Sequence, residues 1–263
     1  MDTDNTLGFV FPGQGSQSLG MLAELAEHHP ACPRDLRRGL HRASAGSLAH
    51  RPGGTGTGAQ PTEITQPALL AAGVAAWRAW VAAGGPRPAA MAGHSLGEYT
   101  ALVCSGALAF TDAVALVHDR GRFMQEAVPA GEGAMAAILG LDDEAVVAVC
   151  ADAAQGEVVE AVNFNAPGQV VIAGNRAAVD RAIEGAREAG AKKAVSLPVS
   201  VPSHCALMRP AAEQMGERLA GVSLELPAIP VLHNADAGTA AIPLMGSASD
   251  WSPSSIARYA GWK

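Results

Sequence analysis

Five residues, Gly93-His94-Ser95-Leu96-Gly97, constrain this chain more than any other stretch. They form a G-x-S-x-G pattern, which requires a strand to end in a tight corner and a helix to begin at once. The flanks fit. The turn signals Gly84-Gly85-Pro86 are followed by a short apolar run to Ala92, and after Gly97 comes an Ala-rich, helix-like run to Leu108. Ser95 then sits at a strained corner, its hydroxyl exposed near a helix N-terminus. Gly93 and Gly97 leave room for the backbone to turn and pack closely. The bare pattern also arises by chance, so the strand and helix around it carry the weight. In that setting Ser95 is the candidate nucleophile.

The chain is 263 residues long, enough for one large domain or a domain with a smaller one inserted. A formal net charge of -7 argues against nucleic acid as the main partner. No apolar run reaches the roughly 18 residues of a membrane span. The start, Met1-Asp2-Thr3-Asp4-Asn5, lacks the basic region of a signal peptide. Cys32, Cys104, Cys150 and Cys205 are scattered, with no C-x-x-C pair. They read as reduced cytosolic thiols rather than zinc ligands or disulfides, and no metal or cofactor is expected.

Leu7 to Phe11 reads as a buried parallel strand ending at Pro12. The turn Gly13-Gln14-Gly15-Ser16-Gln17 follows. It lacks a Walker lysine and the full G-x-G-x-x-G spacing, so phosphate binding is a weak reading. An oxyanion loop, with glycines baring backbone N–H groups, is one alternative, and an ordinary strand–helix turn is the other. Met21 to Glu27 reads as helix. Thr65 is the expected N-cap of a helix to Ala82, with Pro67 an early helical residue. Thr111-Asp112-Ala113 is expected to cap a helix to Glu126 that carries Asp119, Arg120 and Arg122. Arginines on helices are usually solvated, but one that faces a pocket could hold a carboxylate bidentately.

From Gly133 the pattern changes. Strands are expected over 134–140, 158–163, 170–173 and 193–199, with helices over 142–154 and 176–189. The order β-α-β-β-α-β is that of the ferredoxin-like split unit. Next, Val201-Pro202-Ser203-His204-Cys205 holds the second chemical candidate. A lone histidine is more often structural than catalytic, but a serine hydroxyl is a weak nucleophile until a neighbour takes its proton. His28, His29, His41 and His50 lie in or beside polar helix ends and an irregular loop. His94 adjoins Ser95 and is poorly placed to reach its hydroxyl. His118 and His233 lack supporting context.

Several segments, in order, resemble malonyl-CoA:acyl-carrier-protein transacylases of bacterial type II fatty-acid synthesis. They are Phe9 to Gln17, Thr65 to Ala68, Gly93 to Glu98, Arg120 to Gln125, Asn163 to Gln169 and Val201 to His204. The resemblance is near-continuous over 6–30 and 62–238. It implies an α/β fold, a hydrolase-like parallel-sheet domain (1–130 and 200–263) with an inserted ferredoxin-like βαββαβ subdomain (131–199). It implies that Ser95 attacks the thioester of malonyl-CoA and that His204 takes the serine proton and returns it to the CoA thiolate. Arg120 would pair with the malonyl carboxylate. The backbone N–H groups of Gln14 and Leu96 would form the oxyanion hole, and Gln66 and Asn165 would line the substrate site. The malonyl group would pass to the phosphopantetheine thiol of acyl carrier protein. No cofactor is implied, and the expected form is a cytoplasmic monomer that binds neither nucleic acid nor membrane.

Two stretches depart from the family. Residues 31–60 are rich in Arg, Gly, Ser and Thr without periodicity, and the match stops near Gly238. Reading the last base of each codon with the first two of the next turns Asp250–Trp251 into Leu and Trp262–Lys263 into Glu. The junctions between them permit L-V-x-Q-L-Y-R-P-V-R-W-V-E, the family's segment at that place. The other shifted frame permits family strings across 35–61. Both stretches are therefore expected to be frameshifted translations, which makes a truncated, weakly active or inactive remnant one alternative to the transacylase. A serine esterase or thioesterase is another, because it would share the elbow and the histidine.

Overall fold

A computed structural model of the protein describes residues 3–18, 20–28, 62–199 and 201–234. The expectations for 31–60 and for 240–263 lie outside the described residues. The chain divides into two compact units, with the division falling after Gly121 and again after Gln214. The first holds the described residues before 29, those from Glu63 to Gly121, and those from Met215 on; the second holds Thr62 and Arg122–Gln214.

The first unit is built on a parallel sheet of strands β1 (Thr3–Phe11), β2 (Arg87–Gly93) and β7 (Val231–Leu232), in the order β1-β2-β7. Strand β2 takes the central place although it is made of small residues. Gly93 pairs with Phe11, and Met91 pairs with both Phe9 and Val231. Strand β1 alternates at its end: Phe11 is buried, Val10 is exposed, and Phe9 meets Trp77 edge-on at 5.1 Å. Around the sheet lie α1 (Ala23–His28), α2 (Thr62–Ala82), α3 (Gly97–Cys104) and the first part of α4 (Phe110–Ala127). Helix α2 is apolar almost all round, and Leu70, Ala71 and Ala75 are fully buried. Such a helix belongs inside a domain.

Two expected helix starts need correction. Helix α2 begins at Thr62, so Thr65 lies inside its first turn and is buried rather than capping. Burial of Thr62, Thr65 and Gln66 outweighs the local cap signal at Thr65. Helix α4 begins at Phe110, because Ala109 O accepts from the N–H groups of Asp112 and Ala113. Phe110 is itself anchored under the Arg78 guanidinium, 5.3 Å from the ring centre.

The second unit runs β3 (Gly133–Leu139), α5 (Asp143–Ala154), β4 (Val159–Ala166), β5 (Gln169–Asn175), α6 (Arg176–Glu188) and β6 (Lys193–Ser196). Its sheet order is β4-β5-β3-β6, with every pair antiparallel. This is the split βαββαβ arrangement expected from the sequence. Helix α6 explains why it folds so. Ala178, Val179, Ala182, Ile183 and Ala186 form one buried stripe that packs with Ile138, Val170 and Ile172 of the sheet. Strand β6 stops at Ser196, short of the expected 199, and a 3₁₀ turn (Ala206–Met208) leads into α7 (Arg209–Leu219). The architecture is α/β, a parallel-sheet unit together with a ferredoxin-like one. Among the described residues no helix is long and apolar enough to cross a membrane.

Candidate active site

The first unit gathers its polar groups where its parallel strands end. Strand β1 ends at Phe11 and leads to Gln14. Strand β2 ends at Gly93 and leads to Ser95. Strand β7 ends at Leu232 and leads to His233 and Asn234. The carboxyl edge of a parallel sheet is where α/β folds place their sites, since the strand ends leave a crevice bounded by loops and helix starts.

Ser95 has φ 52, a left-handed backbone that a residue with a Cβ adopts at a cost of roughly 1–2 kcal/mol. The two glycines make this corner possible. A Cβ on Gly93 would lie 1.9 Å from the Gly97 carbonyl carbon, and one on Gly97 would lie 2.1 Å from Phe11 O. The Gln14 turn adjoins the elbow, because a Cβ on Gly13 would come within 2.6 Å of His94 O. That turn is pinned by Gly15 N–H donating to Gln17 Oε1 at 2.8 Å and by Ser16 Oγ donating to Gly13 O at 2.8 Å. Leu96 is the N-cap of α3, and among the described residues no hydrogen bond engages its N–H.

Arg120 lies on the buried side of α4. Ala113, Val117, Arg120 and Met124 fall at helical spacing along one stripe, so the guanidinium follows apolar neighbours inward and is 2% exposed. Its Nη1 donates to Gln66 Oε1 at 2.8 Å, and its Nη2 donates to Ser95 Oγ at 3.0 Å. Both acceptors are neutral. Burial pushes the guanidinium below the ordinary arginine range, while the nearby Tyr99 and Glu98 hold it up. Burial likewise pushes the Tyr99 hydroxyl up to about 12, and its ring centre is 5.9 Å from the Arg120 guanidinium carbon. A buried arginine remains a cation. It offers fixed, paired donors beside the serine oxygen, the geometry that suits a carboxylate. In contrast, Arg122 on the same helix forms an exposed i,i+4 pair with Glu126 at 3.2 Å.

Ser95, Arg120 and Gln66 are thus brought together. His204 and Asn165 belong to the second unit. Asn165 is exposed near the end of β4. His204 is half-buried with φ 69. Among the described residues only four non-glycines have positive φ, and Ser95 and His204 are two of them. Strained backbone concentrates at functional sites, where the surroundings over-determine it. Around His204 they do: Cys205 is buried against Met135, Val171 and Ala173, its Sγ donates to Pro202 O at 3.2 Å, and Ala206 N–H donates to Glu160 Oε2 at 3.1 Å.

The sequence reading missed Asn234 and the roles of Glu98 and His233. Ser95 N–H donates to Asn234 Oδ1 at 3.1 Å, and Asn234 Nδ2 donates to Gly93 O at 2.7 Å and to Glu98 Oε2. His233 Nδ1 lies 2.6 Å from Glu98 Oε1. The only signal was Glu98 directly after the elbow. Strand β7 is two residues long, too short to show in any pattern, so nothing pointed to the residues behind it.

Comparison with known proteins accords with this geometry. The family described as acyl transferase domain matches residues 8–240. The malonyl CoA-acyl carrier protein transacylase of Salmonella typhimurium is 54% identical over 228 residues, covering 87% of this chain and 74% of that one. Among solved structures, the malonyl-CoA:acyl carrier protein transacylase of Xanthomonas oryzae superposes with TM-score 0.87 at 53% identity, covering 99% of this chain and 80% of that one. A type II polyketide acyl-carrier protein in complex with its malonyl-transacylase has a chain that superposes with TM-score 0.81 at 45% identity, covering 99% and 80%. The chain belongs to the acyl transferase domain family, within its malonyl CoA-acyl carrier protein transacylase branch.

Proposed function

We propose that this protein transfers a malonyl group from malonyl-CoA to the phosphopantetheine thiol of acyl carrier protein, through an ester on Ser95. The observation that carries the reading is the buried Arg120 guanidinium, held by Gln66 with its other nitrogen on the Ser95 hydroxyl oxygen. Few reactions of an activated serine need a fixed buried cation beside the nucleophile. A substrate with a free carboxylate does.

In the first half-reaction Ser95 Oγ attacks the thioester carbonyl and His204 receives the hydroxyl proton. The oxyanion faces the N–H groups of Leu96 and Gln14. Ser95 N–H is directed at Asn234, which supports Leu96 rather than Ser95 itself as the donor on the elbow. Collapse breaks the C–S bond, and His204 returns the proton to the CoA thiolate. In the second half-reaction the carrier thiol gives its proton to His204, attacks the serine ester and leaves as malonyl thioester, and the proton goes back to Ser95. Charge balances at each step with no cofactor. Arg120 holds the distal carboxylate throughout, and Asn165 contributes to the same substrate site. The working form is a monomer in the cytoplasm, and the free thiols of Cys104, Cys150 and Cys205 support that compartment.

The test is intact-protein and peptide mass spectrometry after mixing with malonyl-CoA, then addition of phosphopantetheinylated acyl carrier protein. A malonyl adduct on the Ser95 peptide that the carrier discharges as malonyl carrier protein is the expected result. No adduct at Ser95, or discharge only to water as free malonate, would overturn the reading.

A further inference from the structure

Behind the elbow lies a polar assembly, buried at Glu98 and His233, that the transfer chemistry does not use directly. Asn234 bridges the corner. Its Oδ1 accepts from Ser95 N–H at 3.1 Å and its Nδ2 donates to Gly93 O at 2.7 Å, so one carboxamide ties together both sides of the turn. The amide orientation is fixed, because Ser95 N–H is only a donor while Gly93 O and Glu98 Oε2 are only acceptors. Asn234 is held in turn by Glu98, which accepts from Asn234 Nδ2 and, at 3.1 Å, from Asn234 N–H. The other Glu98 oxygen meets His233 Nδ1 at 2.6 Å, and the two side chains are 3% and 7% exposed.

We propose that Asn234 is a positioning residue, held in place by the buried Glu98–His233 pair, that locks Ser95 in its left-handed conformation and occupies Ser95 N–H so that Leu96 N–H alone serves the oxyanion from the elbow. The positive φ of Ser95 is unfavourable by itself and needs something that opposes relaxation. Gly93 and Gly97 make the corner sterically possible. Asn234 makes it the lowest state, because relaxing the Ser95 peptide would break the Asn234 bonds on both sides of the turn. Glu98 sits three residues after Ser95 on α3, where its N–H also donates to Ser95 O at 3.1 Å. Nucleophile, bridge and anchor therefore form one closed circuit.

The inference rests on Ser95 being the nucleophile, and its test separates the two. Ser95 reactivity is measured with malonyl-CoA by quench-flow mass spectrometry and, independently, with a fluorophosphonate that reports an activated serine whatever the acyl donor. Wild-type Ser95 that reacts with the fluorophosphonate but not with malonyl-CoA would sink the transferase reading and leave this one open to test. In Asn234→Ala, both reactions are expected to slow about 50-fold or more, with KM for malonyl-CoA within about threefold because Arg120 and Gln66 are untouched. Glu98→Gln is the informative companion. Its Oε1 still accepts from both Asn234 donors, and its amide nitrogen donates to His233 Nδ1 in the other imidazole tautomer, so the rate is expected to stay within about fivefold of wild type. Glu98→Leu leaves the Asn234 donors unmatched and is expected to behave like Asn234→Ala. Where Glu98→Leu does not fold, Asn234→Ala decides, since Asn234 is exposed and its loss leaves no core cavity. Asn234→Ala within threefold of wild type in both reactions overturns the proposal. So does Glu98→Gln losing as much as Asn234→Ala, because charge rather than hydrogen-bond geometry would then be at work.

Discussion

Arg120 and Ser95 stand 25 residues apart in the chain, yet Arg120 Nη2 donates to Ser95 Oγ at 3.0 Å. The cation therefore lies within one acyl group's reach of the nucleophile, which makes selectivity for a charged acyl group testable. Arg120→Ala is expected to slow Ser95 acylation by malonyl-CoA about 100-fold or more, since truncating a buried charged partner costs roughly 2–5 kcal/mol. Acylation by acetyl-CoA, which has no distal carboxylate, is expected to change only a few-fold. Equal loss for both donors would show that Arg120 acts on the serine and not on the substrate.

Gln66 is fully buried and fixes one arm of that guanidinium. Gln66→Leu keeps the volume but leaves Arg120 Nη1 without this acceptor. An unmatched buried donor costs roughly 1–3 kcal/mol, so a lower Tm and about a tenfold fall in kcat/KM for malonyl-CoA are expected. Thermal melts and steady-state kinetics on one preparation check both.

Two variants that both remove the Ser95 hydroxyl separate backbone strain from chemistry. Ser95→Gly adopts φ 52 freely, whereas Ser95→Ala keeps the Cβ and the same left-handed cost as the serine. Both are expected to be inactive, and the glycine variant to be the more stable by about 1 kcal/mol in denaturant unfolding. An alanine variant equal to or more stable than the glycine one would mean that the corner stores no strain.

Glycine replacements should divide sharply by position. Gly97→Ala would drive a methyl to 2.1 Å from Phe11 O, and neither the sheet nor the elbow has room to yield. A loss of about 3 kcal/mol or more, or failure to fold, is expected. Gly216→Ala on α7 meets nothing within 4 Å, and helix propensity alone predicts a gain of about 0.5–1 kcal/mol. Melting temperatures of the pair provide the check.

Stability should fall in alkali. Burial pushes Tyr99 up to about 12 and Cys150 and Cys205 up to about 11, from ordinary values of 10, 9 and 9. Above pH 9 the unfolded chain loses protons that the folded chain keeps, so ν_U − ν_N is negative and stability declines with pH. The stabilisation is complete below pH 9 and is lost as pH rises through about 11 for the two thiols and about 12 for Tyr99. Chemical denaturation at pH 8, 9.5 and 10.5 tests the sign, and a midpoint that does not move across that range would contradict it.

The sequence by itself determined the local elements that carry chemistry. The G-x-S-x-G turn between strand and helix dictated the elbow, because only two glycines let those backbones meet at 1.9–2.1 Å from a would-be Cβ. The spacing of Ala113, Val117, Arg120 and Met124 already put Arg120 on the apolar stripe of its helix, although an arginine there reads as solvated until its neighbours are counted. The short apolar runs alternating with helix-like stretches from Gly133 to Ser196 were enough for the βαββαβ order, and helix α6 buries one continuous stripe against the sheet.

Tertiary structure decided what lies far apart in the chain. Gln66 and Arg120 are 54 residues apart, and Ser95 and Asn234 are 139 apart. A polar residue in a short strand end carries no periodic signature, and its hydrogen-bond partner is chosen by sheet order, which no local pattern encodes. The helix starts of α2 and α4 moved for the same reason. Thr62, Thr65 and Gln66 are buried and Phe110 is seated under Arg78, tertiary contacts that compete with the roughly 0.5–2 kcal/mol a cap residue supplies.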